Sequence, residues 1–168
     1  MYHRACSAAL AYNSNRSWLV SGSDSGTVVV WDLTRGPAQR LATLAVPPNG
    51  SVVDVAMNSD GRLVAAAGLD NRSVSLWRLP SGEPVGEPVV LGGRAWAVAF
   101  SPRGGELAVG GADGLLLVDT ATGAPVGPPW PAGGKPLTSV AYDRTGRLAS
   151  GGHDAKVRIW EWGSDSSV

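Results

Sequence analysis

The chain has 168 residues with 14 basic and 14 acidic side chains, a balance that argues against electrostatic capture of nucleic acid or of an anionic membrane. Apolar residues make up 43% and charged residues 17%, so the composition is not that of a disordered chain. The single Cys6 excludes an intrachain disulfide, and the 23 glycines and 12 prolines point to many turns.

Taken in chain order, the sequence is a repeat. The first unit, residues 1–44, holds a short apolar strand ALAY ending at Tyr12, a turn NSNR, a second strand SWLVSG, a turn carrying Asp24, and a third strand TVVVWDL containing Trp31. Gly36 then opens a turn into AQRLATL. The second unit, 45–91, repeats this order as DVAM, NSDG, RLVAAAG, Asp70, SVSLWRL with Trp77, Gly82 and VGEPVVL. The third, 92–130, reads AVAF, SPRGG, ELAVGG, Asp113, LLLVDT, Gly123 and VGPPW, with Val118 where a Trp is expected. The fourth, 131–168, reads SVAY, DRTG, RLASGG, Asp154 and KVRIWEW with Trp160, and has no fourth segment. Tyr12, Met57, Phe100 and Tyr142 are spaced 45, 43 and 42 residues apart, and Trp31, Trp77, Val118 and Trp160 are spaced 46, 41 and 42.

Each unit is therefore four short antiparallel strands, and the chain predicts 15 strands and no helix. Runs such as Leu115-Leu116-Leu117-Val118 are apolar on both faces, whereas a sheet with one wet face alternates apolar and polar. Sheets buried on both sides without helices must cover one another. Small four-stranded sheets stacked around an axis make a β-propeller. The expected fold is all-β, a single partial propeller of four blades whose last blade lacks its outer strand.

The units GSDSGTVVVWD (22–32), VAFSPRGGELAVGGADG (98–114) and RLASGGHDAKVRIWE (147–161) resemble the Trp-Asp repeats of WD-repeat β-propeller proteins, and the likeness covers nearly the whole chain. The turns LWRLPSGEPVGEP and DTATGAPVGPP are similar to those of actinobacterial WD-repeat proteins. That resemblance implies a non-catalytic scaffold for protein–protein contacts, built on the loops between blades and between second and third strands. It also implies a network within a blade, linking His, Ser or Thr, Trp and Asp. Only the first blade has the full set, as His3, Ser21, Asp24 and Trp31. Asp70, Trp77, Asp113, Asp154 and Trp160 are the matching positions elsewhere. The third blade, without its Trp, is expected to be the least rigid.

The Ser/Asp cluster before Trp31 fits neither a nucleophile elbow nor a phosphate loop. The four repeated Asp residues read as turn-formers that bond amides of their own turns. No cofactor and no metal site is expected. Trp and Arg favour interfaces, so Arg94, Trp96 and Trp130 are candidate contact residues, with Arg72, His153 and Lys156 on the same face.

Twelve of the 14 basic residues are Arg, and the start MYHRACSAAL has no signal-peptide pattern. A bacterial, cytoplasmic protein is expected. The alternative function is a truncated regulatory or targeting segment of a larger signalling enzyme (a kinase, protease or NTPase), with the catalytic part elsewhere. Four blades leave two open apolar faces. Three outcomes stay open: two copies pairing into an eight-blade ring, a piece of a longer array, or a small four-blade ring.

Overall fold

A computed structural model describes residues 7–46, 50–70 and 72–160. Within them the chain is all strand and turn. The first blade contains β1 (Ser7–Asn13), β2 (Trp18–Ser23), β3 (Thr27–Asp32) and β4 (Gln39–Ala45). The second contains β5 (Val52–Met57), β6 (Leu63–Gly68), β7 (Ser73–Arg78) and β8 (Val89–Val90). The third contains β9 (Ala95–Phe100), β10 (Glu106–Gly111) and β11 (Gly114–Asp119), and the fourth β12 (Leu137–Tyr142), β13 (Leu148–Gly152) and β14 (Val157–Trp160). Every blade is an antiparallel meander in chain order.

The described residues thus form 14 strands, not 15. The fourth segment of the third blade is reduced to two isolated bridges, Val118 with Pro125 and Leu115 with Trp130. Pro128 and Pro129 lie in this segment. Proline has no amide to give to a ladder, so a continuous strand cannot form there. Pro84 and Pro88 accompany the shortening of β8 in the same way.

The first strands pack side by side, β1 on β5, β5 on β9 and β9 on β12. Between successive blades lie three apolar cores. Val20, Val28 and Val30 meet Val52, Val55, Val64 and Trp77 between the first two blades. Ala65, Ala67, Val74 and Leu76 meet Val98, Leu107, Val109, Leu116 and Val118 between the second and third. Ala108, Leu115 and Leu117 meet Leu137, Leu148, Val140 and Trp160 between the third and fourth.

This explains the strands that are apolar on both faces. Along β11, Leu115 and Leu117 face the fourth blade while Leu116 and Val118 face the second. Each fully buried Val or Leu contributes roughly 1.5–3 kcal/mol relative to exposure, so sandwiching on both sides is the main source of stability. Gly22 marks how close the blades come. A Cβ there would overlap the side chain of Val52 in the next blade.

Trp31 and Trp77 are 4% and 5% exposed, whereas Trp160 is half-buried. The indole of Trp31 donates to Ser21 Oγ at 2.8 Å, and that of Trp160 donates to Ser150 Oγ at 2.9 Å. The fourth blade therefore builds the Ser–Trp half of the network too. In the second and third blades Ala66 and Val109 occupy the Ser position by strand register. His3 lies outside the described residues.

Candidate functional site

One end of the strands carries the loops that join blades and the turns between second and third strands. Within each of the second, third and fourth blades these two kinds of loop are clasped together by a backbone bond. The Leu69 amide donates to the Ser51 carbonyl at 2.8 Å, Ala112 to Arg94 at 2.9 Å, and His153 to Pro136 at 3.1 Å. The acceptors are 43 and 42 residues apart in sequence, so the clasp is a repeat feature. It makes this end a continuous surface.

Two of the repeated Asp residues reach beyond their own turns. Asp113 Oδ2 accepts from the Gly93 amide at 3.1 Å, reaching across to the inter-blade loop. Asp154 bonds its own turn, through the Lys156 amide at 3.2 Å, and also pairs with Arg158 at 2.5 Å. The Arg158 hydrogen bond is the chief reason its carboxyl sits below the usual carboxylate range. Arg158 extends on to the Ala132 carbonyl at 3.3 Å, tying in the preceding loop.

Asp24 and Asp70 are both exposed. In the first turn Ser23 takes the structural part: its carbonyl accepts from Gly26 and its Oγ from the Thr27 amide at 3.4 Å. The Asp24 contribution to the joint is its backbone carbonyl, which accepts from Ser51 Oγ at 3.0 Å. Backbone geometry, which the sequence pattern does not reveal, decides which polar side chain of SGSDSG points inward.

Three of the predicted contact residues come together at the joint of the second and third blades. Arg72 Nη1 approaches the Gly92 carbonyl at 3.4 Å, and the Leu91 amide donates to the Arg72 carbonyl at 2.8 Å. The Arg94 guanidinium stands 5.9 Å from the centre of the Trp96 ring. Trp96 is half-buried and Arg94 exposed. The loop Gly92–Gly93 has no room for side chains: a Cβ on Gly93 would overlap that of Ala112. The short GGR loop is thus pinned from both sides, and it presents an arginine stacked on a tryptophan. Such a pair is rigid, amphipathic and partly desolvated, which suits an interface anchor.

His153 and Lys156 lie on the same end, at the joint of the third and fourth blades, and both are exposed. Trp130 is different. Its backbone pairs with Leu115 in both directions, at 2.7 and 2.9 Å, and its ring lies 5.6 Å from that of Trp160. It is 37% exposed. Packing between blades three and four, not presentation by a free loop, is what holds it.

At the opposite end, the turns between first and second strands carry contacts that the sequence did not announce. Asn13 and Asn58 are buried and stand 45 positions apart. Asn13 Nδ2 donates to the Asn58 carbonyl at 2.7 Å, while Asn58 Oδ1 accepts from the Leu63 amide at 2.9 Å. Between blades three and four this end has a cavity of about 750 Å³ lined by Arg103, Glu106, Asp119, Tyr142, Thr145 and Arg147. No group of three or more His, Cys, Asp or Glu able to hold a metal ion occurs among the described residues, and no helix there is long and apolar enough to cross a membrane.

Comparison with known proteins agrees with this architecture. The profile of the WD domain, G-beta repeat, matches residues 3–32, 38–78 and 131–161. These matches fall on the first, second and fourth units, whose third strands hold a Trp. Human striatin-4 is 31% identical over 129 residues, covering 66% of this chain and 17% of striatin-4. A WD repeat-containing protein, SL1-17 of Schistosoma mansoni, is 30% identical over 106 residues, covering 61% of this chain and 33% of its own length. The chain therefore spans a third or less of the curated relatives it matches. The crystal structure of the computationally designed Ika4 protein superimposes with a TM-score of 0.79 at 24% identity, covering 96% of this chain and 94% of that one. Four meander blades, Trp77 and Trp160 seated between blades and a profile match across most of the length have one reading: the chain belongs to the WD-repeat family (WD domain, G-beta repeat).

Proposed function

We propose that this chain is a non-catalytic scaffold that binds a protein partner through the clasped end of its blades, with Arg94 and Trp96 as the central contact and Arg72, His153 and Lys156 around it. The observation that carries the reading is the Arg94–Trp96 pair, 5.9 Å from guanidinium to ring, on a loop held from two sides. A preorganised aromatic–arginine pair loses little side-chain freedom on binding. WD repeats typically mediate protein–protein contacts, and the relatives are WD-repeat proteins. A cytoplasmic setting in a bacterium is part of the proposal, supported by the Arg-rich basic set.

The test is affinity capture of cross-linked partners from source cells with the wild-type chain, Trp96→Ala and Arg94→Ala. Arg144→Ala, in the turn Asp143–Gly146 at the opposite end, is the control. Loss of a specific partner with the first two variants and its retention with the control supports the reading. An unchanged partner set with all three removes this face from consideration.

The second reading is a propeller segment regulating or targeting a larger signalling enzyme. It is favoured by the small share of each relative that the chain covers. Sequencing the transcript around the coding region decides it: a continuous frame into a catalytic domain favours it, and a stop on both sides rejects it.

A further inference from the structure

At the end of the strands opposite the clasp, the second and third blades border a second cavity, of about 330 Å³. Arg62, Arg78 and Arg103 line it, together with Asn58, Asp60 and Gly104. The lining residues thus carry three guanidinium groups and one carboxylate.

Each turn between a first and a second strand holds an arginine, and in the first and fourth blades one of these has a task in the fold. Arg16 donates through Nε to the Asp60 carbonyl at 2.9 Å and stands 5.3 Å from the centre of the Trp18 ring. Arg147 pairs with Asp143 at 2.7 Å. The side chains of Arg62 and Arg103 make no hydrogen bond and no ion pair among the described residues. Their turns are nevertheless held firmly. The Arg62 amide donates to Asn58 Oδ1 at 3.0 Å and to Asp60 Oδ1 at 2.8 Å, and its carbonyl accepts the Leu79 amide at 2.8 Å. In the third blade the Gly104 amide donates to the Ser101 carbonyl at 2.9 Å, and the Gly104 carbonyl accepts the Thr120 hydroxyl at 2.6 Å. Arg78 completes the set from the end of β7. Its Nη2 donates to the Ala121 carbonyl at 3.1 Å, which carries its guanidinium from the second blade to the third. A guanidinium has five N–H donors, and that bond uses one.

Guanidinium groups gathered without matching carboxylates repel one another, and a bound anion removes that cost. A recess lined by one sign of charge also concentrates ligands of the other sign. A carboxylate brings one charge and two oxygens, enough for one guanidinium fork. A phosphate monoester brings a charge of about −2 and three terminal oxygens, which suits three guanidinium groups offset by Asp60.

We propose that this cavity is a binding site for a phosphate monoester, held by Arg62, Arg78 and Arg103. The site uses no residue of the Arg94–Trp96 surface and lies at the other end of the blades, so it stands or falls apart from the proposed function.

The experiment titrates inorganic phosphate into the nitrogen-labelled full chain at constant ionic strength, followed by NMR. The expected result is a saturable shift of the Gly104 amide and of the Nε–H signals of the three arginines, with acetate at least about tenfold weaker. Arg62→Gln and Arg103→Gln should each weaken phosphate binding on the order of tenfold. Arg144→Gln, in the matching turn of the fourth blade and exposed, should leave it unchanged. Asp60→Asn keeps an oxygen for the Arg62 amide and removes the opposing charge, so it should tighten binding several-fold, a direction that a damaged fold does not imitate. Glycerol phosphate and a glycine-flanked phosphoserine peptide then separate a small phosphorylated molecule from a modified side chain of a partner: the one that binds more tightly than inorganic phosphate names the source.

No saturable shift with phosphate overturns the proposal, and so does acetate binding as tightly as phosphate. Arginine variants without effect, or Asp60→Asn without a gain, would mean an adventitious ion only. If neither monoester binds more tightly than inorganic phosphate, the assignment to a monoester is overturned.

Discussion

The carboxylate of Asp54 on β5 accepts the amide of Val98 on β9 at 2.8 Å, joining the first strands of two neighbouring blades. Its other oxygen accepts the Val55 amide at 2.9 Å. Among the first-strand segments read from the sequence Asp54 is the single carboxylate, and its place between blades gives it a structural task. Burial is the main influence on its titration and raises the carboxyl above the ordinary value, against the lowering effect of the Val98 and Val55 amides. A raised folded value means the native state binds its proton more readily than the unfolded chain. This group therefore favours folding most below the ordinary carboxylate value of 3.8, and that share is lost as pH rises through the folded value. Asp54→Asn should remove this pH-dependent component. It should also cost roughly 1–3 kcal/mol at neutral pH, because an amide side chain offers one acceptor where two donors converge. Urea denaturation of both proteins from pH 3 to 7 (on the order of the carboxylate range) checks both outcomes.

The turn carboxylates act in the opposite sense. Asp32, Asp119 and Asp143 each accept the hydroxyl of a nearby threonine, Thr34, Thr122 and Thr145, at 2.6, 2.7 and 2.7 Å. Those threonine bonds lead the causes that hold all three below the usual carboxylate range. A depressed folded value means stability that is present above pH 3.8 and lost as pH falls through the folded value. Acid unfolding should begin below the ordinary carboxylate range, and Asp143→Asn should flatten that limb. A melting series in dilute acid, followed by circular dichroism, reads it. An unchanged acid limb in the variant would count against a stabilising turn.

The hydroxyl of Tyr142 is buried and has no hydrogen-bond partner among the described residues. Burial, with the Glu106 charge as a lesser cause, pushes its ionisation far above the ordinary phenol value. A buried donor without a partner costs about 1–3 kcal/mol. Tyr142→Phe should therefore leave stability unchanged or raise it by about 1 kcal/mol. Chemical denaturation gives the answer, and a loss of more than that amount would show the hydroxyl to be bonded.

Asn13 joins the first two blades from the far end, through its bonds to the Asn58 and Ser59 carbonyls at 2.7 and 3.1 Å. It also accepts the Arg16 amide at 2.9 Å in its own turn. Asn13→Ala should cost roughly 1–3 kcal/mol, since two carbonyls and an amide lose their partner. Asn15→Ala is the contrast: its single exposed bond to Ser59 should be worth a few tenths of a kcal/mol at most. Equal losses in the two variants would place the stabilising effect in the turn and not between blades.

The strands were legible because their signals are local. Alternating or doubly apolar runs between Gly, Asp and Pro turns mark each blade, and β-branched residues such as Val28, Val29 and Val30 suit a pleated surface packed on both sides. The Arg94–Trp96 pair was legible for the same reason, lying two residues apart after a shortened loop. The Asn13–Asn58 bond was not. It links positions 45 apart, and no pattern within a unit distinguishes an asparagine that reaches the next blade from one that only forms a turn. The same holds for Asp113, whose bond leaves its own turn. Trp130 ends the expected fourth segment VGPPW, and although its prolines break the strand, two backbone bonds fasten it to Leu115. The inward role of Ser23 was hidden behind the more conspicuous Asp24.

The clasp within each of the last three blades has a bearing on how such an array came to exist. Its recurring bonds, Leu69 to Ser51, Ala112 to Arg94 and His153 to Pro136, run between main-chain groups. Main-chain groups come with every residue type except for the missing amide of proline, and the acceptors here are as unlike as serine, arginine and proline. A duplicated stretch of about one unit would arrive with its two loops already fastened to each other. The side chains on the clasped loops are left to diverge, so that copies of one ancestral segment can come to display different surfaces.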